Sequence, residues 1–540
     1  MLEGATGMRV MLALSGPVGV GKTCFTRFLE ERFAAQTHST QEMLRRRGAA
    51  EDRKTLQDAG EDIDQATGGA WVSDDLAKVL SDDPNQLVIV DAVRIKKQID
   101  HLRRTFGARW RVWHVFIDAD DTVLRQRYAD RPSPLREFEN YDQVKESATE
   151  RGIQSLKSVA DRVVDASCCE LDSVVAQAVA GLGFYPLEVE RLVDVVVGGE
   201  YGSEGKGHVC SYLAPGYDLL VRVGGPNAGH KAVLPERITY IQLPSGTAAN
   251  PNSKIVIGAG ATLYVPQILN EIAERGLTPE RLSIDPQAMI IEEGDREYES
   301  GRGDRIGSTK QGVGAATARK ILGRFDDKPL GIAVRLAEGA NELKDFVRPT
   351  APLLEDAFAR GRKVFLEGTQ GTELSLHHGS WPHVTSRDTT VAGCLADAGI
   401  APGRVRKVIM VTRTYPIRVG GPSGPISRET SYERISERSG IPEAEIRGTE
   451  TGTISHNPRR IAEFDWEQVR HAAVLNGATD IALSFSDYLS IENRKARRFE
   501  DLTEETRAFI EGVERVTNAP VSLVSTRFEP RGIIDRRNWR

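Results

Sequence analysis

The chain has 540 residues, of which 40% are apolar and 27% are charged, and its formal net charge is −6. This composition is typical of a globular protein of two or three domains and excludes a disordered or fibrous chain. The charge gives no basic field for nucleic acid or a membrane surface, and no apolar run approaches the ~20 residues that span a bilayer.

The cysteines are too few and too scattered to form a disulfide framework, and none has the spacing of a metal site. They are Cys24, Cys168, Cys169, Cys210 and Cys394. The N-terminus lacks the successive basic, apolar and small-residue segments of a secretion signal. We therefore expect reduced thiols and a cytoplasmic protein that binds neither membrane nor nucleic acid.

The first predicted strand begins at Arg9 and leads into a glycine-rich loop, GPVGVGKT, at residues 16–23. The loop fits G-x-x-x-x-G-K-[ST] between a strand and a helix, a pattern whose backbone amides surround a phosphate. Its lysine would reach the β- and γ-phosphates of ATP, and its threonine hydroxyl would bind Mg²⁺. The residues expected to bind ATP are Gly16, Gly19, Gly21, Lys22 and Thr23.

Strand-like and helix-like segments alternate after this loop. Leu87–Ala92 and Trp110–Asp118 are predicted strands, and helical spacing starts at Ile95, Asp121 and Tyr141. Alternation of this kind predicts a parallel sheet covered by helices.

Several polar residues of this region suit phosphoryl transfer. Asp91 ends a predicted strand, where a second carboxylate for Mg²⁺ is expected, and the alternative is that it caps the next helix. Arg125, Arg127 and Arg131 lie on a predicted helix and loop, where they would either clamp phosphates or form a solvated face.

Residues 1–185 resemble the nucleoside monophosphate kinase group of P-loop phosphotransferases. The resemblance rests on Gly16–Thr23, Val90–Arg94 and Arg125–Arg131, with Arg53–Asp64 as an acceptor-side segment. It implies a nucleotide kinase and leaves the acceptor open.

A domain boundary is expected near Tyr185. Val159–Ser167 resembles a last strand, and Ser173–Gly183 resembles a closing helix with a glycine after it. The sequence therefore predicts two domains, at residues 1–185 and 186–540.

A second strand, glycine loop and predicted helix begin after this boundary, with GSEGKG at Gly202–Gly207. Further segments follow in order, namely Arg222–His230, Leu243–Gly246, Ile306–Gly314, Phe365–Thr390, Arg418–Pro425, Asn457–Arg460 and Ala482–Asp487. Through them, residues 190–540 resemble the adenylosuccinate synthetase family. The two resemblances together imply an α/β protein with two parallel-sheet P-loop-type domains.

The second resemblance implies a ligase with two chemical steps. The γ-phosphate of GTP or ATP moves to O6 of a 6-oxopurine nucleotide, with Mg²⁺ as the cofactor. The amine of an amino acid, with L-aspartate expected, then displaces that phosphate at C6. Phosphorylation makes the C6 oxygen a good leaving group, so the protein mainly positions the reactants and stabilises charge.

The resemblance also assigns residues. The catalytic positions would be Ser203, Lys206, His230 and Gln370, with Lys206 holding the γ-phosphate and His230 acting as the acid. The purine nucleotide would be bound by Asn227, Ser308, Thr309, Gln370 and Thr385. The donor nucleotide would be bound by Gly202, Gly205, Lys206, Gly207, Phe485 and Asp487. The amino acid would be bound by Thr451 and Arg459, and Mg²⁺ by the Gly229 carbonyl.

Ser203 departs from the family pattern, which has at this position an Asp that removes the purine N1 proton and binds Mg²⁺. Serine is uncharged and a very poor base. Three interpretations stay open: an inactive chain, a base supplied by Glu204 or His208, or a substrate for which a carboxylate is unfavourable. The third favours guanine, whose C2 amino group could donate to the serine. In lacking that Asp the chain resembles the phage-type branch, the N6-succino-2-amino-2′-deoxyadenylate synthases, which use dGMP.

Two further segments differ from the family pattern. The segment that frames the guanine of GTP reads SFSD, in which Asp487 can bind guanine and Phe485 can stack on any purine, so ATP is also an acceptable donor. The amino-acid loop begins with Asn457 in place of an arginine. This change fits a deoxyribose substrate, or an amino acid other than L-aspartate.

In this family a basic residue from a neighbouring subunit often reaches the monophosphate. The resemblance therefore implies a homodimer, with Arg319, Lys320 or Arg324 in that role. Three functions stay open: an active ligase of IMP, GMP or dGMP with a fused kinase, a nucleotide-binding regulatory protein, or a chain in which only the kinase half turns over. We expect the first, because most phosphate-facing and substrate-facing positions are intact.

Overall fold

A computed structural model describes residues 9–48, 53–80, 87–131, 140–146, 148–184, 189–451 and 458–539. The chain divides into two compact units, Met1–Leu187 and Glu188–Arg540. The boundary expected after residue 185 lies beside this division.

A five-stranded sheet with the strand order β2-β3-β1-β4-β5 forms the centre of the first unit. The strands are β1 (Arg9–Ser15), β2 (Gln36–Ser39), β3 (Leu87–Asp91), β4 (Trp110–Asp118) and β5 (Arg162–Asp165). Every pair of neighbouring strands is parallel. The parallel sheet predicted from the alternation of segments is therefore present.

The central strand β1 shows why this sheet is covered on both faces. Its sequence RVMLALS is almost continuously apolar, as expected of a parallel strand between two helical layers. Alternate residues enter different cores: Leu12 packs in the cluster that contains Ile89, and Met11 packs in the cluster that contains Val88. The covering helices are α1 (Lys22–Phe33), α2 (Thr40–Arg46), α3 (Arg53–Thr67), α4 (Trp71–Val79), α5 (Lys96–Phe106), α6 (Asp121–Ala129), α7 (Tyr141–Glu146), α8 (Ala148–Ile153) and α9 (Leu171–Val179).

A nine-stranded sheet with the order β12-β10-β7-β14-β6-β15-β18-β19-β20 forms the centre of the second unit. Its strands are β6 (Val193–Gly198), β7 (Leu219–Arg222), β10 (Lys254–Ile257), β12 (Leu282–Ile284), β14 (Val364–Glu367), β15 (Val405–Arg413), β18 (Asp480–Ser484), β19 (Val521–Ser525) and β20 (Ile533–Asp535). All pairings are parallel except that of β19 with β20. The loop between these two strands is too short for a crossover, so β20 returns antiparallel.

Among the described residues of this unit, three two-stranded sheets and ten α-helices accompany this sheet. The small sheets pair β8 (His230–Ala232) with β9 (Ile238–Tyr240), β11 (Thr262–Leu263) with β13 (Met289–Ile290), and β16 (Ile417–Arg418) with β17 (Arg460–Ile461). The helices are α10 (Lys206–Leu213), α11 (Val265–Arg275), α12 (Glu293–Ser300), α13 (Val313–Leu322), α14 (Thr350–Ala359), α15 (Val391–Ala398), α16 (Tyr432–Ser439), α17 (Glu443–Thr449), α18 (Trp466–Asn476) and α19 (Glu504–Thr517).

The expectations of reduced cysteines and of no membrane-spanning segment can be compared with the structure. All five cysteines are free thiols. Within the described residues, no helix has the length and the apolar character that crossing a bilayer requires.

Candidate active site

The glycine loop of the first unit connects the carboxyl end of β1 to α1. Gly16, Gly19 and Gly21 have φ angles of 142°, 92° and 100°, in the region that favours glycine. A side chain at residue 16 would also clash, because an added Cβ would lie 2.2 Å from the carbonyl oxygen of Ile117. The loop is therefore confined to glycine at these turns.

Lys22 is the first residue of α1. Its Nζ donates to the carbonyl oxygens of Gly16 at 2.7 Å and Pro17 at 3.1 Å. Burial, and then the nearby Arg94 guanidinium, lower the pKa of Lys22 to about 8. Thr23 follows in the first helical turn and is exposed. Both side chains lie where the strand–loop–helix pattern predicts them.

Two carboxylates approach this loop. Asp91 ends β3, and its buried Oδ1 has no hydrogen-bond partner among the described residues. Burial raises the pKa of Asp91, against the opposing effect of nearby Lys22. Glu150 on α8 accepts the amide hydrogen of Val18 at 3.1 Å and pairs with Arg94 at 2.9 Å. Its carboxylate thus holds a loop amide that could instead bind a phosphate oxygen.

The three arginines of the predicted clamp have different environments. Arg125 forms an exposed ion pair with Asp142 at 2.6 Å. Arg127 donates to the carbonyl oxygen of Val20 at 3.3 Å, so it contacts the glycine loop. Arg131 lies over an aromatic ring of α6. The solvated alternative therefore fits Arg125, whereas Arg127 lies against the loop itself.

The glycine loop of the second unit connects β6 to α10, and Lys206 is the first residue of that helix. Gly202 and Gly205 have φ angles of 90° and 89°, and Ser203 between them has a φ angle of 57°. A positive φ is uncommon for a residue with a Cβ. The turn therefore fixes the direction in which the Ser203 side chain leaves the backbone.

Gly207 brings α10 against β8. An added Cβ at this position would lie 2.6 Å from the carbonyl oxygen of Lys231 and 3.0 Å from Cβ of His230. Only the absence of a side chain permits this approach. As a result, the residues that follow Lys206 pack directly on the strand that carries His230.

Glu204 occupies the interior of the loop. Its Oε2 pairs with Lys206 Nζ at 2.5 Å, and both side chains are buried. Its Oε1 accepts the amide hydrogens of Gly202 at 2.8 Å and Glu200 at 3.2 Å. Glu200 is buried nearby and accepts a hydrogen bond from Thr412 Oγ1 at 2.7 Å. Burial, and then the neighbouring Glu204 carboxylate, raise the pKa of Glu200 to about 8.

His230 is oriented by Glu367, a residue that the sequence analysis did not single out. Nδ1 of His230 lies 2.5 Å from Oε1 of Glu367, which also accepts from Arg222 at 2.8 Å and Ser245 Oγ at 2.6 Å. Burial raises the pKa of Glu367, but Arg222 and the hydrogen bonds outweigh it and bring it to about 2. Burial, and then Arg222, lower the pKa of His230 to about 4. At neutral pH the imidazole is therefore neutral, with Nδ1–H donated to an ionised carboxylate and Nε2 left for the cavity.

A cavity of about 480 Å³ lies beside this loop, a size suited to a nucleotide. Most of the sequence-predicted residues line it. These are Gly202, Ser203, Lys206, Asn227, Gly229, His230, Ser308, Thr309, Gln370, Thr385 and Arg459. Five predicted residues do not line it, namely Gly205, Gly207, Thr451, Phe485 and Asp487.

A chain of side-chain hydrogen bonds crosses one wall of the cavity. Thr369 Oγ1 donates to Oε1 of Gln370 at 2.6 Å, and Gln370 Nε2 donates to Oδ1 of Asn227 at 2.8 Å. Nδ2 of Asn227 then donates to Oγ1 of Thr385 at 3.2 Å. Three residues predicted to bind the purine nucleotide are thus connected, and their amide orientations are fixed by one another.

Arg459 bridges Ser203 and a buried carboxylate. Its NH2 donates to Oγ of Ser203 at 3.1 Å, and its NH1 pairs with Glu450 at 3.2 Å. Glu450 also pairs with Arg413 and accepts the Tyr488 hydroxyl at 3.0 Å. Burial raises the pKa of Glu450, but Arg413 and then Arg459 outweigh it and lower the pKa. Glu450 therefore stays ionised and holds Arg459 at the edge of the cavity.

The SFSD segment lies next to this network. The Phe485 ring has the Arg413 guanidinium 3.9 Å from its centroid. Asp487 is buried and accepts from Arg494 Nε at 3.0 Å. Burial raises the pKa of Asp487 to about 6, against the opposing effect of Arg494. Both residues predicted to bind the donor nucleotide thus already interact with an arginine.

The predicted amino-acid loop is described only in part. Thr451 Oγ1 donates to the carbonyl oxygen of Arg447 at 3.3 Å, and the next described residue is Pro458. Asn457, at which the loop departs from the family pattern, lies outside the described residues.

Neither alternative base proposed from the sequence faces the cavity. Glu204 lies inside the loop, paired with Lys206. His208 is buried, and its Nε2 lies 3.1 Å from the carbonyl oxygen of Glu529. The expectation that one of them replaces the missing Asp is therefore not supported by their positions.

Arg319 is a correction to the expected intersubunit residues. Its side chain is fully buried and pairs with Asp295 at 2.6 Å. A guanidinium committed to an internal ion pair cannot reach a neighbouring subunit. Lys320 is partly buried and donates to the carbonyl oxygen of Gln287, whereas Arg324 is exposed at the end of α13.

Sequence analysis missed three charged residues of the site. Glu367 and Arg418 lay in segments that carry the family resemblance, so the segments signalled them without indicating a role. Arg418 lines the cavity, with its guanidinium 4.5 Å from the centroid of the Tyr201 ring. Glu450 directly precedes Thr451, a predicted amino-acid-binding residue, but its pairing with Arg413, 37 residues away, could not be inferred from that position.

Comparison with known proteins agrees with this geometry. The sequence model of the adenylosuccinate synthetase family matches residues 195–325 and 328–493. The adenylosuccinate synthetase of Methanocaldococcus jannaschii is 36% identical over 353 residues, which cover 64% of this chain and 96% of that protein. That of Pyrococcus horikoshii is 33% identical over 353 residues, covering 64% of this chain and 98% of that protein.

Two solved structures are also similar. The adenylosuccinate synthetase of Plasmodium falciparum has a TM-score of 0.55 at 22% identity, covering 64% of this chain and all of that one, and it shows the shared fold. The succinoaminodeoxyadenylate synthetase of cyanophage S-2L, bound to dGMP and dATP, has a TM-score of 0.53 at 26% identity, covering 65% of this chain and 97% of that one. The family match spans more than half of the sequence and contains the cavity with its glycine loop, and the chain therefore belongs to the adenylosuccinate synthetase family of ligases.

Proposed function

We propose that the second unit joins an amino acid to C6 of a 6-oxopurine nucleotide and uses the γ-phosphate of a nucleoside triphosphate to activate O6. One observation carries this proposal. Lys206, His230 and Arg459 line a single cavity of about 480 Å³, so a phosphate-binding group, a proton-carrying group and a carboxylate-binding group face one space. Gln370 and Asn227 face the same space with the polar atoms that a purine requires.

In the first step the γ-phosphoryl group moves from the donor to O6. Lys206 and the amides of residues 202–207 would bind its oxygens, because a helix N-terminus and an ammonium both favour negative charge. Lys206 Nζ would then exchange its bond to Glu204 for a bond to phosphate. The buried Glu204 keeps the lysine in place until phosphate arrives.

His230 would stabilise the transferred group. Its Nδ1–H is donated to Glu367, which leaves Nε2 as the reacting nitrogen. Its pKa of about 4 means that the imidazole enters the reaction without charge. Phosphorylation of O6 releases the proton of purine N1. A phosphoryl group near Nε2 favours the imidazolium, so Nε2 would take up that proton and its new N–H would donate to a phosphoryl oxygen.

In the second step the amine of the amino acid displaces phosphate at C6. Arg459 offers the guanidinium that would bind a carboxylate of that amino acid, and Glu450 holds it in orientation. L-aspartate is the amino acid we propose. Inorganic phosphate, a nucleoside diphosphate and an N6-substituted purine nucleotide are the products.

Ser203 leads us to propose GMP or dGMP as the nucleotide. Its side chain lines the cavity and accepts a hydrogen bond from Arg459, so it contributes an uncharged oxygen where a carboxylate would add a negative charge. The C2 amino group of guanine can donate to such an oxygen. The similarity to the cyanophage enzyme, whose structure holds dGMP and dATP, supports this substrate and an adenine nucleotide as donor.

The SFSD segment would bind the base of the donor nucleoside triphosphate. Phe485 and Asp487 would contact the base of the donor nucleotide, although both already interact with arginines. A ring next to a guanidinium can stack on either purine. The proposal therefore admits both ATP and GTP.

Mg²⁺ is the cofactor in this proposal. Gly229 lines the cavity, and its carbonyl oxygen would bind the ion together with phosphate oxygens, since Mg²⁺ accepts both kinds of ligand. In the first unit, the Thr23 hydroxyl and the unpaired Oδ1 of Asp91 are suitable ligands. When bound, the ion would neutralise phosphate charge during transfer.

For the first unit we infer a nucleotide kinase. Lys22 and the loop at residues 16–23 would bind the donor phosphates, and the Arg127 contact with the loop would support that loop. The acceptor would be a nucleoside monophosphate that the second unit uses or makes. Replacing Lys22 with Ala should remove phosphoryl transfer to such acceptors.

A homodimer is part of the proposal. The last turn of α13 exposes Ile321 (55%) and Leu322 (45%), and Phe325 (83%) follows three residues after the helix; together they form an apolar group suited to contact with a second copy. Arg324 lies in the same segment and would approach the neighbouring monophosphate. Light scattering should give a dimer mass for the chain and a monomer mass for Phe325→Asp.

Mass spectrometry of the products tests the ligase proposal directly. The protein is incubated with ATP or GTP, with IMP, GMP or dGMP, and with a pool of amino acids. We expect a nucleotide whose mass has increased by that of an amino acid less water, formed fastest with GMP or dGMP. Lys206→Ala is the control, and it should form none.

The other outcomes distinguish the alternatives. Nucleotide binding by calorimetry without any amino-acid adduct would indicate a regulatory protein. Phosphoryl transfer that is lost in Lys22→Ala and unchanged in Lys206→Ala would indicate that only the first unit turns over.

A further inference from the structure

A second cavity of about 350 Å³ lies in the second unit and shares no lining residue with the first. Three arginines, Arg428, Arg434 and Arg438, line it together with the rings of Tyr415, Phe464 and Trp466. We call this cavity the arginine–aromatic groove. None of these residues takes part in the reaction described above.

The groove has uncompensated positive charge. Arg438 pairs with Glu463, also in the lining, at 2.8 Å. Arg428 and Arg434 are exposed, and among the described residues their side chains form no hydrogen bond or ion pair. Two guanidiniums are therefore available to an anion, and guanidiniums bind phosphate in a bidentate way.

The groove also has an aromatic surface. Trp466 is 40% exposed, although it packs against Phe464 at 4.7 Å and Phe509 at 5.2 Å between ring centroids. A large ring that is fixed from behind and open in front is suited to stacking on a planar group. Guanidiniums beside such a ring match a ligand with both a phosphate and a base.

Two elements connect the groove to the catalytic cavity. Helix α16 carries Arg434 and Arg438, and its first residue Tyr432 donates its hydroxyl to the carbonyl oxygen of Arg459. In addition, Tyr415 of the groove is followed by β16, whose residues line the catalytic cavity. A ligand that moves α16 would therefore move the backbone of Arg459.

We propose that the arginine–aromatic groove is a second nucleotide site of this unit, in which Arg428 and Arg434 bind the phosphates and Trp466 stacks on the base. A nucleotide bound in the groove changes the position of Arg459 and thereby the KM for the amino acid. Binding in the groove is independent of the ligase proposal, whereas its effect on turnover rests on that proposal.

The binding test uses the full chain with Lys22→Ala and Lys206→Ala, which weaken the two phosphate loops. ATP, tripolyphosphate and adenosine are titrated separately by calorimetry. We expect ATP to bind, tripolyphosphate to bind more weakly, and adenosine to give no heat. Arg428→Ala with Arg434→Ala should raise the Kd for ATP at least tenfold, and Trp466→Ala should raise it for ATP and not for tripolyphosphate.

The matched control replaces Arg362 and Arg515, two exposed arginines elsewhere in the unit, and should leave the Kd for ATP unchanged. Arg428→Lys with Arg434→Lys should restore part of the affinity, because the charge returns without the bidentate geometry. A Kd that is equal in the Arg428/Arg434 variant and the control variant overturns the proposal. So does a Trp466→Ala effect that is the same for ATP and tripolyphosphate.

The regulatory part is tested with both loop lysines present. At a donor concentration that saturates the catalytic cavity, further ATP should change the KM for the amino acid in the unmodified chain and leave it unchanged when Arg428 and Arg434 are Ala, with little change in kcat. An unaltered dependence removes the regulatory part. If no adduct forms in any chain, the ligase proposal fails while the titration still decides whether the groove binds nucleotides.

Discussion

The two glycine loops look alike in sequence and differ in how they hold their lysines. Lys22 donates to two carbonyl oxygens of its own loop. Of the two carboxylates near this loop, Glu150 is paired with Arg94, and Oδ1 of Asp91 has no hydrogen-bond partner among the described residues. Lys206 is buried and paired with Glu204, a residue of the same loop. The first loop can therefore accept phosphate without losing an ion pair of its lysine, whereas the second must break one.

This difference suggests that the two loops bind phosphate with different selectivity. A buried ion pair costs desolvation energy and is stable only with good geometry, so a weakly bound anion cannot displace Glu204. A triphosphate positioned by other contacts can do so. The carboxylate in the second loop would thus favour a fully assembled complex over phosphate alone.

The largest expected effect separates the two lysines. Lys206→Ala should lower amino-acid-dependent phosphate release by about 10²–10³-fold, the range found when one charge-stabilising donor is removed. Lys22→Ala should instead lower the transfer of phosphate to a nucleoside monophosphate. Both rates are measured by coupled phosphate and nucleotide assays. If Lys22→Ala lowers ligation equally, the loops do not work separately.

The next effect is a loss of free energy of unfolding when Glu204 or Glu150 is replaced. Glu204→Gln leaves the buried Lys206 without its counterion, and breaking such a pair costs about 3–5 kcal/mol. Glu150→Gln breaks a pair whose arginine is partly exposed, so its cost should be nearer 1–2 kcal/mol. Hydrogen exchange followed by mass spectrometry measures the stability of each unit within the intact chain. Equal losses would contradict the contrast between the loops.

The pH dependence of stability should have opposite signs at the two loops. Folded Glu200 keeps its proton up to pH about 8, whereas the unfolded chain loses it near 4.5. Its contribution is therefore full below pH 4.5 and is lost as the pH rises to about 8, by up to roughly 1.4 kcal/mol per pH unit. The pKa of Lys22 is lowered to about 8, so its contribution is lost as the pH falls from 10.5 towards 8.

Denaturation of Glu200→Gln between pH 5 and 8 checks the first of these signs. The variant should show a smaller decline in stability than the unmodified chain across this range. A matched carboxylate, Glu433 on the exposed face of α16, should have no such effect when replaced by Gln. An identical slope in the Glu200 variant would mean that its carboxyl ionises normally in the folded protein.

The smallest effect concerns Ser203. Ser203→Asp makes the second loop still more acidic and places a carboxylate where the guanine amino group is proposed to lie. We expect the ratio of kcat/KM for IMP over GMP to rise about fivefold, as one hydrogen-bond contact is worth roughly 1 kcal/mol. Ser203→Ala serves as the control and should change the ratio less. An unchanged ratio in both variants would separate Ser203 from base selection.

The parts of the molecule that the sequence predicts are those encoded over short distances. Both glycine loops and the strands before them follow from local spacing, and the apolar β1 already indicates a parallel strand. Two other features depend on long-range pairing. Glu367 meets His230 across 137 positions, and Glu150 meets Val18 across 132.

The burial of the Arg319 side chain also could not be predicted from the neighbouring sequence. Arg319 belongs to a basic run at the end of a helix, a pattern typical of a solvated or intersubunit surface. Its pairing with the buried Asp295 depends on how α12 packs against α13, which no local pattern encodes. The antiparallel β20 likewise follows from the length of one loop in the folded sheet.

The missing side chain at Gly207 affects the spacing between the two elements that carry Lys206 and His230. Since α10 and β8 touch through bare backbone there, the main chain that carries Lys206 and the main chain that carries His230 stay close together. In the proposed reaction, the start of the phosphate-binding helix and the strand of His230 would therefore keep their separation while the donor and the purine adjust to them. A methyl group at this one position would meet the carbonyl oxygen of Lys231 and push α10 away from β8.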